Sequence, residues 1–135
     1  MVNMNLIILV SSLFLSACSI STTVKPISKQ IAEVCIEKNN DVLMDDFLPT
    51  IEHTLDEINV KHQLKSDGCE DVLKYKANWR WDLAMYLYYA DFGIYEGQKR
   101  VAHAEYDATM GGGRPDKFGN TEDKIKPIIK QLFNR

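Results

Sequence analysis

His103, Glu105 and Asp107 are the residues whose types and spacing best suit acid–base chemistry. They alternate along a predicted strand, and alternate residues of a strand face the same side of its sheet. A histidine beside carboxylates can move protons, so these residues would serve a small hydrolase if a nucleophile stood next to them. Alternating charges more often form the solvated face of a strand. We therefore expect a protein that is not an enzyme, with the hydrolase as an alternative.

The remaining candidate motifs lack the spacing that metal or phosphate chemistry needs. The cysteines form no C-x-x-C pair and the histidines no H-x-x-x-H pair. His53 falls among acidic residues on the polar side of a predicted helix, which is typical of a solvated face. Gly111 to Gly113 precede Arg114 without the sequence of a P-loop or a dinucleotide loop, so they predict a flexible connection. We expect no metal and no cofactor.

Length and charge limit the class of protein. The chain has 135 residues, with 16 Lys and Arg against 19 Asp and Glu and a net charge of −3. A chain of this size can bury the core of one domain but not of two. A mildly acidic domain lacks the basic surface that nucleic-acid binding requires, so no nucleic-acid partner is expected.

An apolar run near the start of the chain ends in Leu15-Ser16-Ala17-Cys18. Polar residues follow too soon for a membrane-spanning helix, which needs about 20 apolar residues, and the run is typical of a signal peptide. The four residues resemble the lipobox of bacterial lipoproteins. The resemblance implies a signal peptide over residues 1–17 and a Cys18 that carries a diacylglyceryl group and fatty acids such as palmitate. An ordinary signal or spanning helix followed by a buried cysteine is the alternative.

The same resemblance implies a location and a role. In Gram-negative lipoproteins a residue other than aspartate after the cysteine, here Ser19, directs the protein to the outer membrane. The domain would then face the periplasm, held to the membrane by its lipid anchor. Its expected role is that of a binding or accessory module for another envelope protein or for the cell wall. A structural homodimeric tether is a further alternative.

Cys35 and Cys69 remain as an even pair once Cys18 is lipidated. Disulfides persist in oxidising compartments, so we expect a bond between these two cysteines. Two separate buried thiols are the alternative.

Hydrophobic periodicity predicts one α+β domain over residues 29–135. Residues 18–28 are rich in Ser and Thr without a hydrophobic period and predict a flexible tether. The domain has the predicted order β-α-β-β-β-β-α. Two helices lie on one face of a mixed, mostly antiparallel sheet, which makes a two-layer domain. Its first strand–helix–strand unit should pair its strands in parallel. The predicted strands cover residues 31–37, 60–64, 73–82, 84–95 and 100–109. The predicted helices lie near residues 47–58 and 121–133, with Pro127 deep enough in the second to indicate a later start or a kink.

Aromatic residues are concentrated in the two central predicted strands. Trp79 and Trp81 share one face of the first strand and are expected in the core beneath the helices. The strand from Ala84 is apolar on both faces, so some of its tyrosines should be exposed and form a surface for a partner. The homodimer alternative would use the same strand. The candidate partner-binding residues are Tyr86, Tyr88, Tyr89 and Tyr95.

The predicted element order resembles that of small periplasmic domains such as the amino-terminal domain of TolB. The chain is also similar to a group of small proteobacterial outer-membrane lipoproteins that have no assigned reaction. The similarity is carried by Val-Cys-Ile-Glu-Lys-Asn at residues 34–39, by Cys69-Glu70 before the long strand, and by a closing helix that contains proline. These resemblances imply the anchor and the fold, and they transfer no site residue.

Overall fold

A six-stranded mixed sheet carries two helices on one face in the computed structural model, which describes residues 19–135. The strands are β1 (Ser19–Lys25), β2 (Glu33–Ile36), β3 (Lys61–Leu64), β4 (Asp71–Asp82), β5 (Ala84–Glu96) and β6 (Lys99–Met110), and the helices are α1 (Phe47–Glu57) and α2 (Thr121–Leu132). Across the sheet the order is β1-β6-β5-β4-β2-β3. β2 is parallel to β3 and to β4, and the other neighbours are antiparallel. The predicted α+β class and the mixed, mostly antiparallel sheet are confirmed.

The segment expected to be a flexible tether forms the edge strand β1, so that expectation is wrong. β1 pairs antiparallel with β6 and begins with Ser19 opposite Met110. Ile20 and Val24 are partly buried against the core, and their even spacing places both on the helix side of the sheet. Two apolar side chains in a Ser/Thr-rich segment are a weak signal, and pairing with the long neighbour β6 supplies the remaining stabilisation. The element order of the described chain is therefore β-β-α-β-β-β-β-α.

The first strand–helix–strand unit pairs its strands in parallel, as predicted. β2 and β3 lie side by side, with Val34 opposite His62. α1 connects them and is followed by Asn59 in a left-handed backbone conformation with φ of 58°, which asparagine tolerates better than most residues. Asp46 is the N-cap of α1, but its side chain makes no capping hydrogen bond.

A disulfide joins Cys35 in β2 to Cys69 in the turn before β4, with the two Cα atoms 6.2 Å apart. This is the pairing that the sequence predicts. β2 and β4 share two residue pairs, so the bond reinforces a short junction in the sheet. Closing a loop with a sequence separation of 34 stabilises the fold by about 3–4 kcal/mol in the chain-entropy model.

The core fills the space between the helices and the sheet. Phe47 at the start of α1 stacks on Phe92 of β5, with ring centroids 5.9 Å apart, and its centroid lies 5.6 Å from that of Tyr75 in β4. Both helices turn an apolar stripe toward these rings. The fully buried side chains of the two stripes are Ile51, Leu55, Ile125, Ile129 and Leu132.

α2 begins at Thr121, so the later start that Pro127 suggested is wrong. The Asn120 side chain accepts a hydrogen bond from the backbone N–H of Asp123 and caps the helix. Pro127 lies inside α2 and lacks the N–H that would bond to the carbonyl four residues earlier. The cap and the buried stripe of α2 outweigh this missing bond.

β5 is apolar at both even and odd positions because its register shifts at a bulge. Trp79 of β4 lies opposite Leu87, whereas the residue before Trp79 lies opposite Tyr89, which leaves Tyr88 as the extra residue. An extra residue reverses the side that the following residues face. Leu87 and Phe92 therefore both reach the core.

Trp79 and Trp81, both expected in the core, differ in their environment. Trp79 is partly buried and meets Phe47 edge-on, with centroids 5.4 Å apart. Trp81 is 72% exposed, so its predicted burial is wrong. The reason is the length of the β4–β5 hairpin, which continues beyond the last β5–β6 pair, Tyr89 with Asp107.

The lipidation site lies outside the described residues, as does the signal peptide predicted over residues 1–17. Ser19, which follows Cys18 directly, is already paired in β1. Within residues 19–135, no helix combines the length and the apolar character needed to span a membrane.

Candidate functional site

The face of the sheet that carries no helix, here called the open face, holds all three residues of the predicted acid–base group. It is formed by alternate residues of the three long central strands, which are those pointing away from the helices. Register brings neighbouring strands together so that His103 lies opposite Gly93 and Glu105 opposite Asp91. The open-face residues of β4, β5 and β6 include Lys74, Lys76, Asn78, Tyr89, Asp91, Gly93, Tyr95, Arg100, His103, Glu105 and Asp107.

Asp91 is the centre of an ion-pair cluster on the open face. Its Oδ1 lies 2.6 Å from Nη2 of Arg100 and 3.3 Å from Nε2 of His103. The carboxylate that faces His103 therefore belongs to the neighbouring strand and not to the predicted partners on β6. Sequence reasoning missed Asp91 because a cross-strand neighbour depends on the register of the two strands.

Glu105 accepts a hydrogen bond from a tyrosine of the neighbouring strand. The Tyr89 hydroxyl donates a hydrogen bond to Oε2 of Glu105 at 2.9 Å. Burial, helped by this hydrogen bond and by the nearby negative charges, raises the pKa of Tyr89 to about 12. The phenol therefore remains a protonated donor at neutral pH and does not act as a base.

Asp107 makes its hydrogen bonds near the end of its own strand, β6. Its Oδ1 accepts hydrogen bonds from the backbone N–H of Thr109 at 2.8 Å and from the Thr109 hydroxyl at 2.5 Å. No hydrogen bond within residues 19–135 joins any two of His103, Glu105 and Asp107. The structure thus places the three residues on one face but gives each a different partner. In the same part of the chain, no cluster of three or more His, Cys, Asp or Glu side chains could hold a metal ion.

A cleft of about 540 Å³, here called the open-face cleft, lies beside the Asp91 cluster. The loop after β2 forms one wall and is fastened to β4 by Asn39. The Asn39 side chain donates to the backbone oxygen of Tyr75 at 2.9 Å, and its backbone N–H donates to the Tyr75 hydroxyl at 3.2 Å. The cleft is lined by Glu37, Lys38, Asn39, Asn40, Asp41, Lys74, Tyr75, Lys76, Asp91, Gly93, Tyr95 and Arg100.

Gly93 leaves space for the Tyr95 and Arg100 side chains, which line the open-face cleft. A Cβ at this position would lie 2.7 Å from Cε2 of Tyr95 and 3.0 Å from Nε of Arg100, so only glycine lets both side chains lie across the strand. The Lys74 ammonium sits 4.8 Å from the centroid of the Tyr95 ring and 3.6 Å from Glu37. The cleft thus presents an aromatic ring beside two cationic groups, each paired with a carboxylate of the domain, an arrangement that suits a polar partner.

Tyr86 is buried, so its predicted exposure is wrong. It retains 9% of its accessible surface and packs edge-on against Phe118, with centroids 5.8 Å apart. The Lys117 ammonium lies 4.9 Å from its ring centroid. The loop between β6 and α2 covers Tyr86 at the point where β6 no longer pairs with β5.

The other three tyrosines are half-buried and each contacts a charged side chain. Tyr88 lies under Arg80, whose guanidinium carbon is 4.6 Å from the ring centroid. Tyr89 meets Glu105, and Tyr95 forms part of the open-face cleft. A role for these three in binding a partner stays a prediction.

The comparisons find a similar fold in a solved structure but no match to the sequence among protein-family models or curated proteins. The structure is similar to that of PelC from Paraburkholderia phytofirmans, solved as a dodecamer, with 10% sequence identity and a TM-score of 0.56 over 84% of this chain and 94% of that one. A minor lipoprotein from Acinetobacter baumannii has 14% identity and a TM-score of 0.36 over 78% and 87% of the two chains. The PelC similarity concerns the fold alone, and the second structure is too distant to support an argument.

Proposed function

We propose that the protein is a lipoprotein of the bacterial cell envelope, anchored in the outer membrane through Cys18. The carrying observation is the sequence Leu15-Ser16-Ala17-Cys18 at the end of an apolar run. In the described structure β1 begins at Ser19, so a lipid on Cys18 would be attached directly next to the folded domain. A multiply acylated cysteine holds a domain stably at a membrane, whereas a single chain holds it only marginally.

The domain itself acts as a binding or accessory module for an envelope protein or for the cell wall. The open-face cleft supports this role because it combines the Tyr95 ring with the charges of Lys74 and Arg100 on a rigid sheet. Polar groups held by strands keep their geometry better than groups on mobile loops. In this proposal the domain binds a partner and catalyses no reaction.

Metabolic labelling tests the anchor. Cells that express the full chain are grown with radioactive palmitate, and the protein is recovered from separated inner and outer membranes. The wild-type protein should carry label and fractionate with the outer membrane, and a Cys18→Ser variant should carry none. An unlabelled wild-type protein would contradict the proposal.

Site-specific photo-cross-linking in living cells tests the binding surface. A cross-linking amino acid replaces Lys76 in the open-face cleft or, as a matched control, Lys61, an exposed lysine of β3. We expect an adduct from position 76 that disappears in a Tyr95→Ala, Arg100→Ala background and no adduct from position 61. Cells that carry the His103→Ala variant should keep the wild-type phenotype. Loss of the wild-type phenotype in this variant would favour the hydrolase alternative. Equal amounts of adduct at positions 76 and 61 would contradict the proposal that the open-face cleft is the binding surface.

Self-association is a second candidate role, favoured by the dodecameric assembly of the PelC structure. A homodimer through the strand from Ala84 would have to use residues 84–88, because β5 lies between β4 and β6 over residues 89–96. The outermost strands of the sheet, β1 and β3, offer two further edges for assembly through strand pairing. Light scattering coupled to size exclusion would report a multiple of the mass of the processed chain, and a monomer at all concentrations would exclude this role.

A further inference from the structure

One end of the sheet carries a group of exposed apolar side chains that the fold does not use. Trp81, Leu83 and Met85 lie in the β4–β5 hairpin and expose 72%, 90% and 46% of their surface, and Met110 at the end of β6 exposes 70%. We call these four residues the tip cluster. Exposed apolar side chains grouped in this way usually mark a contact surface.

The tip cluster lies at the end of the sheet where the chain emerges from Cys18. Ser19 pairs with Met110, and the antiparallel register continues inward with Asp107 opposite Tyr89 of β5. The start of β1, the end of β6 and the tip of the β4–β5 hairpin are therefore at one end. A lipid on Cys18 would bring that end close to the membrane surface.

The hairpin tip is not shaped by folding requirements alone. Leu83 has φ of 63°, and the other two non-glycine residues with positive φ in residues 19–135 are both asparagine. A left-handed conformation costs a leucine roughly 1–2 kcal/mol, and Gly or Asn would fill the position without that cost. A strained and almost fully exposed leucine adds nothing to the core, which points to a contact outside the protein.

The one acidic side chain of the hairpin tip has a partner within the domain. The Asp82 carboxylate pairs with the ammonium of Lys117, which also donates to the backbone oxygen of Gly112 at 2.6 Å. A paired carboxylate is less costly to bring toward lipid than an isolated one. Trp81 has the amphipathic ring that collects at the membrane–water interface.

We propose that the tip cluster inserts into the interface of the same bilayer that holds Cys18. This inference rests on the proposed lipidation and adds a second contact, made by the protein itself. The two contacts together fix the orientation of the domain, which a lipid on a single residue leaves free. Lys76 lies six residues from Asp82 along β4, so the open-face cleft stands about 20 Å above the tip, directed away from the membrane.

Quenching of a dye at the hairpin tip tests the insertion. The full chain is purified from membranes as the Leu83→Cys variant, and as a Leu64→Cys control at an exposed leucine of β3 that lies level with Leu73, far from the tip. Both variants are labelled with an environment-sensitive dye. They are then reconstituted into vesicles of phosphatidylethanolamine and phosphatidylglycerol, with or without a nitroxide on the lipid acyl chain. Neither leucine is in the buried core, so neither change should disturb folding.

The proposal expects at least threefold stronger quenching of the dye at position 83 than at position 64. Equal quenching, or none at position 83, overturns it. A dye at position 83 that ignores the nitroxide but responds to protein concentration would indicate a second copy at the tip and would also overturn it. The mass of the same samples separates the two proposals: a lipidated chain with an unquenched dye refutes the insertion alone. A chain without lipid refutes the proposed function, and the insertion with it.

Discussion

Positive φ values show how single residues adapt to this backbone. Asn59 and Asn134 take left-handed conformations just after the two helices, where asparagine is favourable, and Leu83 takes the same conformation at the hairpin tip. The role of Asn59 in ending α1 was predictable because helix ends have a residue preference. The strain at Leu83 was not, since a leucine gives no sign in the sequence that its backbone will be left-handed.

Replacing the strained leucine should make the domain more stable. We expect Leu83→Asn to raise the free energy of unfolding by about 1 kcal/mol, because asparagine tolerates the left-handed conformation. The melting temperature should rise by roughly 4 °C. The reciprocal control, Asn59→Leu, should lower stability by a similar amount. Thermal unfolding followed by circular dichroism checks both, and a destabilised Leu83→Asn variant would contradict the strain argument.

Tyr89 should titrate at unusually high pH. Because its pKa in the folded protein is raised to about 12 by burial and by Glu105, the folded state holds this proton more tightly than the unfolded chain, whose tyrosine pKa is about 10. The stabilisation is complete below pH 10 and is lost as the pH rises from about 10 to about 12. A titration of the wild type up to pH 11, followed by phenolate absorbance, should therefore not include the ionisation of Tyr89. In Glu105→Gln, which removes the charged acceptor and leaves the burial, Tyr89 should ionise at a lower pH than in the wild type, and identical titrations of the two proteins would contradict the assignment.

The largest error at the scale of elements concerns β1. Serine and threonine content indicated a tether, yet the segment has an apolar residue at two positions of the same strand face, Ile20 and Val24. Periodicity over so short a stretch is weak evidence by itself. The deciding contribution is the unpaired edge that β6 would otherwise present, which no local pattern reveals.

Removing the apolar residues of β1 distinguishes a strand from a tether. The double change Ile20→Ser, Val24→Ser should lower the free energy of unfolding by about 2 kcal/mol, because each partly buried side chain contributes about 1 kcal/mol. It should also speed amide exchange in residues 19–25. Thr23→Ser, at an exposed position of the same strand, serves as the control and should have little effect. An unchanged stability in the double variant would mean that the segment is a tether after all.

The bulges explain why the faces of β5 and β6 were only partly predictable. The extra residue at Tyr88 reverses the facing of β5, and a register shift between Ile94 and Tyr95 changes which residues of β6 lie opposite. The shift decides that Asp91 faces Glu105 and lies beside His103. The alternating pattern identified His103, Glu105 and Asp107 as one face, but the β5 residues beside His103 and Glu105 depend on the shift between Ile94 and Tyr95.

At the scale of the whole molecule, amphipathic periodicity was sufficient for the fold class, both helices and five of the six strands. The α+β arrangement follows because the two apolar helix stripes need an apolar surface to pack against, and strands with alternating polarity offer one such sheet face. The cleft was not predictable, since its walls come from a loop at residues 37–41 and from strands more than 30 residues later. Such a site exists only after the sheet has formed.

The proposed anchor at Cys18 would determine the compartment of the protein, the redox environment of Cys35 and Cys69, and the end of the sheet that meets the membrane. Intact mass spectrometry of the protein purified from bacterial membranes tests it most directly. The account predicts a chain that begins at Cys18 and carries a diacylglyceryl group and an amide-linked fatty acid. A chain that retains residues 1–17 and carries no lipid would contradict it.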